Sequence, residues 1–278
     1  MRLQLLVPLL THPDPTPDSV VAGAVAVARH LGADLVSHAV DIDIHLPPSA
    51  FGGLFLDVPK MIADAEATSR AAGDRLQAAL ADAAEAAGVA LIREEVALRP
   101  EAVASGVARR ARLADLAILG WGLSTVEGRE VAEGLIFEAG RPVLFLPSVA
   151  AVGALGCVAV AWDGSRAAAR ALADARPFLE QADEVVVVTV ADDKPGATVE
   201  TGSALVRHLA AAGVAARLDV AAAGEMPIGE LLQVRALALG AGLLVMGGYG
   251  HSRLREFVLG GATRGVVDDM RLPVLLSH

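Results

Sequence analysis

Five residues, Ala86-Ala-Gly-Val-Ala90, return unchanged as Ala211-Ala-Gly-Val-Ala215, and the same succession of segments surrounds them each time. Ala33-Asp34 answers to Ala182-Asp183, and Leu116-Ala-Ile-Leu-Gly120 to Leu243-Leu-Val-Met-Gly247. Arg141-Pro-Val-Leu likewise answers to Leu272-Pro-Val-Leu. A pattern used twice in order constrains the chain to two like units. The spacing between matches shortens between residues 40 and 86, so the first half carries about two dozen extra residues there. Prolines, glycines and apolar residues around Pro47-Pro48 and Gly52-Gly53 mark an inserted loop near 43–60.

Each half alternates apolar runs of strand length with Ala-rich stretches of helical length. In the first half the spacing predicts strands at 3–9, 34–40, 90–97, 116–119 and 143–146, with helices at 19–30, 61–87 and 101–112. In the second it predicts strands at 157–162, 184–190, 215–222, 243–246 and 274–277, with helices at 165–179, 200–212, 228–239 and 263–270. Alternation of this kind implies a parallel sheet with right-handed crossovers. The expected architecture is two tandem doubly wound α/β domains, 1–148 and 155–278, joined by a small apolar linker. Each is a five-stranded parallel sheet in the order 3-2-1-4-5, with helices on both faces.

Composition narrows the function classes. Hydrophobic residues make up 54% and aromatics only 3%, which suits Ala-rich helices on aliphatic strands and not an aromatic sugar-binding surface. A net charge of −10 repels polyanions, so no nucleic-acid partner is expected. The single cysteine, Cys157, excludes an intrachain disulfide and points to a reducing compartment. Residues 142–162 carry no charge, but Pro142, Pro147, Gly153 and Gly156 cut them into strand-length pieces, and buried parallel strands are equally apolar. The run that opens the chain ends in Thr-His-Pro-Asp-Pro, unlike a cleavage site. The reading is cytoplasmic, with no membrane partner.

The segment from Gly247 to Thr263 contains Gly247, Gly248, Gly250, Gly260 and Gly261 at a seam between strand and helix. Bare backbone there suits either a phosphate held by peptide N–H groups or a close packing contact with no ligand. In a doubly wound sheet ligands bind at the carboxyl ends of the strands where the winding reverses. The expected order makes strands one and four of the second half neighbours there, which brings Asp163-Gly164-Ser165 near Gly247. Asp163 suits an adenine amino group or a ribose hydroxyl. Asp163 and Ser165 equally suit the cap of the following helix.

These residues resemble the universal stress protein superfamily in its tandem two-domain form. Its nucleotide-binding members carry Gly, two residues, Gly, nine residues, Gly, then Ser or Thr, and Gly247, Gly250 and Gly260 keep that spacing. Gly261 stands where the hydroxyl is expected, while Thr263 coincides with a second hydroxyl position. The resemblance implies a nucleotide site formed by Asp163, Gly164, Ser165, the backbone at Val190, Gly247, Gly250, Gly260, Gly261 and Thr263, with His251 and Arg253 as secondary candidates. The ligand it implies is ATP or a related adenine nucleotide, with or without Mg²⁺. Loss of a charge-assisted hydrogen bond at Gly261 costs about 1.5–3 kcal/mol.

The first half departs from the pattern, with Gly120-Trp121-Gly122 after strand four and Thr11-His12-Pro13 after strand one. It reads as a degenerate structural domain. There is no Gly-x-x-x-x-Gly-Lys-Ser/Thr loop, no Gly-x-Ser-x-Gly elbow and no histidine spacing for a metal, so neither catalytic residues nor a metal site is expected. His38 and His208 are expected within packed elements. The functional expectation is a regulatory nucleotide binder with little or no hydrolysis, acting on a protein partner of the stress response. A non-binding tandem scaffold is the alternative. The two domains are expected to pair within the chain, and a dimer of such chains remains open.

Overall fold

The computed structural model describes residues 2–45, 57–121, 126–148, 152–191, 196–222, 224–248 and 261–278. Contacts divide the chain into two compact units, Met1–Ile118 with Leu123–Ala139, and Leu119–Gly122 with Gly140–His278.

The first unit runs β1 (Gln4–Leu10), α1 (Asp18–Leu31), β2 (Asp34–Ile42), α2 (Val58–Ala87), β3 (Leu91–Leu98), α3 (Val103–Ala111), β4 (Leu116–Trp121) and α4 (Val126–Glu138). The last residues of β4 belong to the second unit. Strand order is β3-β2-β1-β4, parallel throughout the registered pairs, with Leu5 opposite both Leu35 and Leu116. Along β1 and β2 every interior residue is buried, as parallel strands covered on both faces must be. β3 instead alternates partly buried and exposed residues, because it is the edge strand of this unit. α2 begins where the Asp57 carboxylate accepts from the Lys60 amide at 3.2 Å.

The second unit contains β5 (Val143–Pro147), β6 (Cys157–Ala161), α5 (Arg166–Asp174), α6 (Arg176–Leu179), β7 (Glu184–Ala191) and α7 (Val199–Ala211). It continues with β8 (Ala216–Ala222), α8 (Ile228–Ala238), β9 (Leu243–Gly247), α9 (Gly261–Asp268) and β10 (Val274–Ser277). Its strands lie in the order β8-β7-β6-β9-β10, the 3-2-1-4-5 order of a doubly wound sheet, followed by β5. β5 comes from the first sequence repeat, yet it pairs antiparallel with β10, Leu144 opposite Leu275. Contacts therefore group it with the second unit, whereas the repeat groups it with the first. Trp121 goes with it. Its ring meets Phe145 edge-on at 5.4 Å, and its indole N–H donates to the Val267 carbonyl.

One expected helix is broken. The stretch 165–179 forms α5 and then α6, because Pro177 has no amide with which to continue the α5 ladder and starts a new turn instead. His208 is exposed on α7, contrary to its expected packing, whereas His38 is buried. No helix among the described residues is long and apolar enough to cross a membrane.

Both units keep one ion pair between the third strand and the following helix. Arg110 on α3 grips Glu94 on β3 with two hydrogen bonds, 2.6 and 2.9 Å, and Arg235 on α8 grips Asp219 on β8 in the same way. In the first unit His38 lies under this pair, its Nδ1 3.4 Å from the Glu94 carboxylate but without a hydrogen bond. Burial holds the His38 pKa below its ordinary 6.5, opposed by the Glu94 charge and reinforced by Arg110. The unfolded chain therefore takes up a proton near pH 6.5 that the folded chain refuses until lower pH. Stability should fall as pH drops from 6.5 toward the depressed folded value. Urea unfolding across that window should show the loss, and His38→Gln should flatten it.

Candidate functional site

In the second unit the chain runs from β6 outward through β7 to β8, then returns to lay β9 on the other side of β6. The winding thus reverses between β6 and β9. Their register places Val160 opposite Val245, so Asp163 and Gly248, each three residues further on, leave the sheet at the same level. The sequence expectation that these two segments meet is met by the pairing of β6 with β9.

Asp163-Gly164-Ser165 forms a compact link between β6 and α5. Asp163 Oδ1 accepts from the Ser165 amide at 3.0 Å, and Ser165 Oγ accepts from the Ala168 amide at 3.1 Å as the cap of α5. Both side chains therefore have local structural work. Gly164 has φ of 70°, and a Cβ there would lie 2.9 Å from the Gly196 carbonyl oxygen. Gly196, just before α7, is tight as well: a Cβ there would lie 2.6 Å from the Asp163 carbonyl oxygen. Sequence reasoning passed over Gly196 because Pro195-Gly196 reads as an ordinary turn.

Val190 lies near the carboxyl end of β7, its side chain buried, opposite Ala221 of β8. Peptide groups in a parallel strand point alternately to the two neighbours. Val188 accepts from the Trp162 amide on the β6 side, so the Val190 peptide groups face that side as well, beyond Ala161, the last residue of β6. Thr189 faces the other neighbour with its backbone. Its hydroxyl is fully buried beside Gly202 of α7 with no hydrogen-bond partner among the described residues.

Gly247 ends β9 directly against the first turn of α5. A Cβ there would fall 2.4 Å from the Ala167 carbonyl carbon and 2.5 Å from the Ala168 nitrogen. Backbone packing thus accounts for this glycine by itself. Gly248 is different: its amide donates to Ser277 at 2.7 Å, and a Cβ would meet only that oxygen at 3.5 Å. Gly261 opens α9, and Thr263 in the same first turn is 4% exposed, so its hydroxyl is buried. Gly250, His251, Arg253 and Gly260 lie outside the described residues.

The first unit lacks the acid. Leu5 pairs with Leu116 as Val158 pairs with Leu243, and Leu116 and Leu243 are equivalent in the repeat. Counting forward five residues from each, Leu10 holds the place of Asp163. The next residue, Thr11, is 2% exposed and spends its hydroxyl on the Val40 carbonyl at 2.7 Å and on Ser69. Trp121 holds the place of Gly248 and fills it with a ring. Among the described residues no group of three His, Cys, Asp or Glu side chains is arranged for a metal ion.

The fold is shared with solved structures. A universal stress protein from Archaeoglobus fulgidus superposes with a TM-score of 0.70 at 16% identity, over 99% of this chain and 97% of that one. A protein from Pseudomonas aeruginosa described as a universal stress protein gives 0.56 at 16% identity, over 99% and 93%. The cytoplasmic domain of a prokaryotic cation chloride cotransporter gives 0.51 at 10% identity, over 99% and 95%. No protein-family model and no curated protein sequence matches. The chain has the fold of universal stress proteins. That the fold also serves a transporter's cytoplasmic domain leaves function to be argued from the site.

Filling the Gly247 contact should show its structural weight. Gly247→Ala should lower stability by about 1–3 kcal/mol, because helix α5 must shift off the sheet. Gly248→Ala should cost far less. Urea unfolding of the two variants checks the contrast.

Proposed function

We propose that the second repeat, 155–278, binds ATP or a related adenine nucleotide, with or without Mg²⁺, at the carboxyl ends of β6, β7 and β9. The observation that carries this reading is the pairing of β6 with β9 at the winding reversal, which sets Asp163 level with Gly248. Beside them the Val190 peptide groups face the β6 edge beyond that strand's last residue. In this reading Asp163 accepts from the nucleoside and Val190 contacts adenine through its backbone. Gly164 and Ser165 shape the entry to α5. Gly247 brings the α5 amino terminus, with its outward N–H groups, to the phosphates. Gly250, Gly260 and Gly261 contribute amides and Thr263 its helix turn, with His251 and Arg253 balancing charge.

Among the described residues no general base stands beside the proposed phosphates, and the reading is a binder with little or no hydrolysis. Nucleotide occupancy would then set the state of a protein partner in a cytoplasmic stress response. An intrachain pseudo-dimer of the two repeats is part of this reading, and a homodimer of chains is compatible with it. A second reading, a tandem scaffold with no nucleotide, draws on two observations. Gly247 is explained by packing, and Ser165 by capping.

Calorimetry of the nucleotide-free chain with Mg-ATP separates the two. Binding is expected, and Asp163→Ala and Gly250→Val should each weaken it about tenfold or more. No heat at millimolar ATP would favour the scaffold, and affinity unchanged in both variants would move the site elsewhere. Steady phosphate release at catalytic rates, abolished by the same variants, would make the chain an enzyme. Trp162, adjacent to Asp163, offers a parallel fluorescence signal in a Trp121→Phe background.

A further inference from the structure

A cleft of about 170 Å³ opens in the first unit between α2 and strands β2 and β3, lined chiefly by Asp41, Gly73, Asp74, Gln77, Arg93 and Glu95. The register sets Ser37 opposite Arg93, Ala39 opposite Glu95 and Asp41 opposite Ala97, so Asp41 and Glu95 rise from the same face of the sheet. Ser37 donates to the Gln77 side chain, which in turn donates to the Glu94 carbonyl, and these bonds fix α2 above that face. The Glu94 carboxylate belongs to the other face, where Arg110 holds it.

Asp41 is only 4% exposed, and its Oδ1 has no hydrogen-bond partner among the described residues. Its surroundings are mostly acidic. Glu95 from β3 and Asp74 from α2 face it, with the Arg70 charge on α2 opposing them. Gly73 packs close to this buried oxygen: a Cβ there would stand 2.9 Å from Oδ1 and 3.4 Å from Thr11 Cγ2. Glycine is a poor residue for a helix interior, so its presence opposite a buried carboxylate keeps room at a cost to the helix. A buried acceptor left unpaired is costly, and a donor brought by a ligand removes that cost. The carboxylates do not form a metal-ligating group.

We propose that this cleft binds the ammonium or guanidinium head of a small organic cation, with Asp41 as its principal acceptor and Glu95 and Asp74 supplying negative charge. N–H donors match a single unsatisfied carboxylate oxygen in a space of this size better than a multidentate cation does. Arg93 at the cleft and Arg70 beside it limit the charge that is accommodated. The site lies wholly in the first unit and is independent of the nucleotide reading. Burial raises the Asp41 pKa, and Glu95 raises it further, so binding weakens as pH falls through that raised value and the carboxyl takes up its proton.

Amide NMR of the full chain, titrated with 1,4-diaminobutane and with methylguanidinium, tests this directly. Saturable shifts are expected around Ala39, Asp41, Gly73 and Glu95, with almost none from tetramethylammonium, a cation without N–H donors. Asp41→Asn should weaken binding about tenfold. Gly73→Ala, which places a methyl group beside Oδ1, should weaken it too, and this variant and the wild-type pH profile carry the test if Asp41→Asn does not fold. Tighter binding of N-acetyl-lysine methylamide than of the free amine would identify the head group as a protein's lysine in the same cleft. The proposal is overturned by no saturable shift with either donor cation, by an equal response to tetramethylammonium, or by unchanged affinity in Asp41→Asn.

Discussion

At the end of β9 the sheet and helix α5 touch backbone to backbone, and Gly247 is the residue that allows it. Any side chain there would occupy the space of the Ala167–Ala168 peptide. Because α5 is held this close, the link Asp163-Gly164-Ser165 must turn sharply off β6, and Gly164 supplies the positive φ that the turn needs. Gly164 then sits against Gly196, just before α7. The close approach of α5 to the end of β9 at the winding reversal rests on that one contact.

The same contact recasts the glycine-rich segment. Bare backbone there suits a phosphate or a packing requirement, and at Gly247 the packing requirement is met in full. On the proposed nucleotide reading the same residue would serve both, because close packing brings a helix amino terminus to the ends of the strands. The two repeats then differ in what they place around the shared frame. Both keep an ion pair from the third strand to the next helix, Glu94 with Arg110 and Asp219 with Arg235. Only the second repeat has an acid at the end of its first strand, where the first has Leu10. Trp121 replaces Gly248 and packs against Phe145. The first repeat retains its own buried carboxylate, Asp41, on the α2 side of β2.

Most of the architecture is legible in the sequence because fully buried parallel strands are short, apolar and bounded by turns. The repeat then supplies each element twice. Strand boundaries fall within a residue or two of expectation at β6, β7 and β9. The break between α5 and α6 is written in Pro177 but is masked by the alanines around it. The pairing of β5 with β10 is not legible, since nothing local in Val143–Pro147 says which neighbour an apolar strand will choose. Site residues are legible where they obey a spacing, as Asp163 and Gly247 do. Gly196 and the orphaned oxygen of Asp41 depend on close approaches between segments far apart in the chain, which no local pattern encodes.

Hydrogen–deuterium exchange of the intact chain, with and without saturating Mg-ATP, tests the central claim most directly. The account predicts nucleotide-dependent protection in the peptides covering Asp163–Ala168, Val190 and Gly247–Thr263, with no change around Leu10–Thr11 in the first repeat. Protection confined to the first repeat, or none anywhere under conditions where calorimetry shows binding, would contradict it.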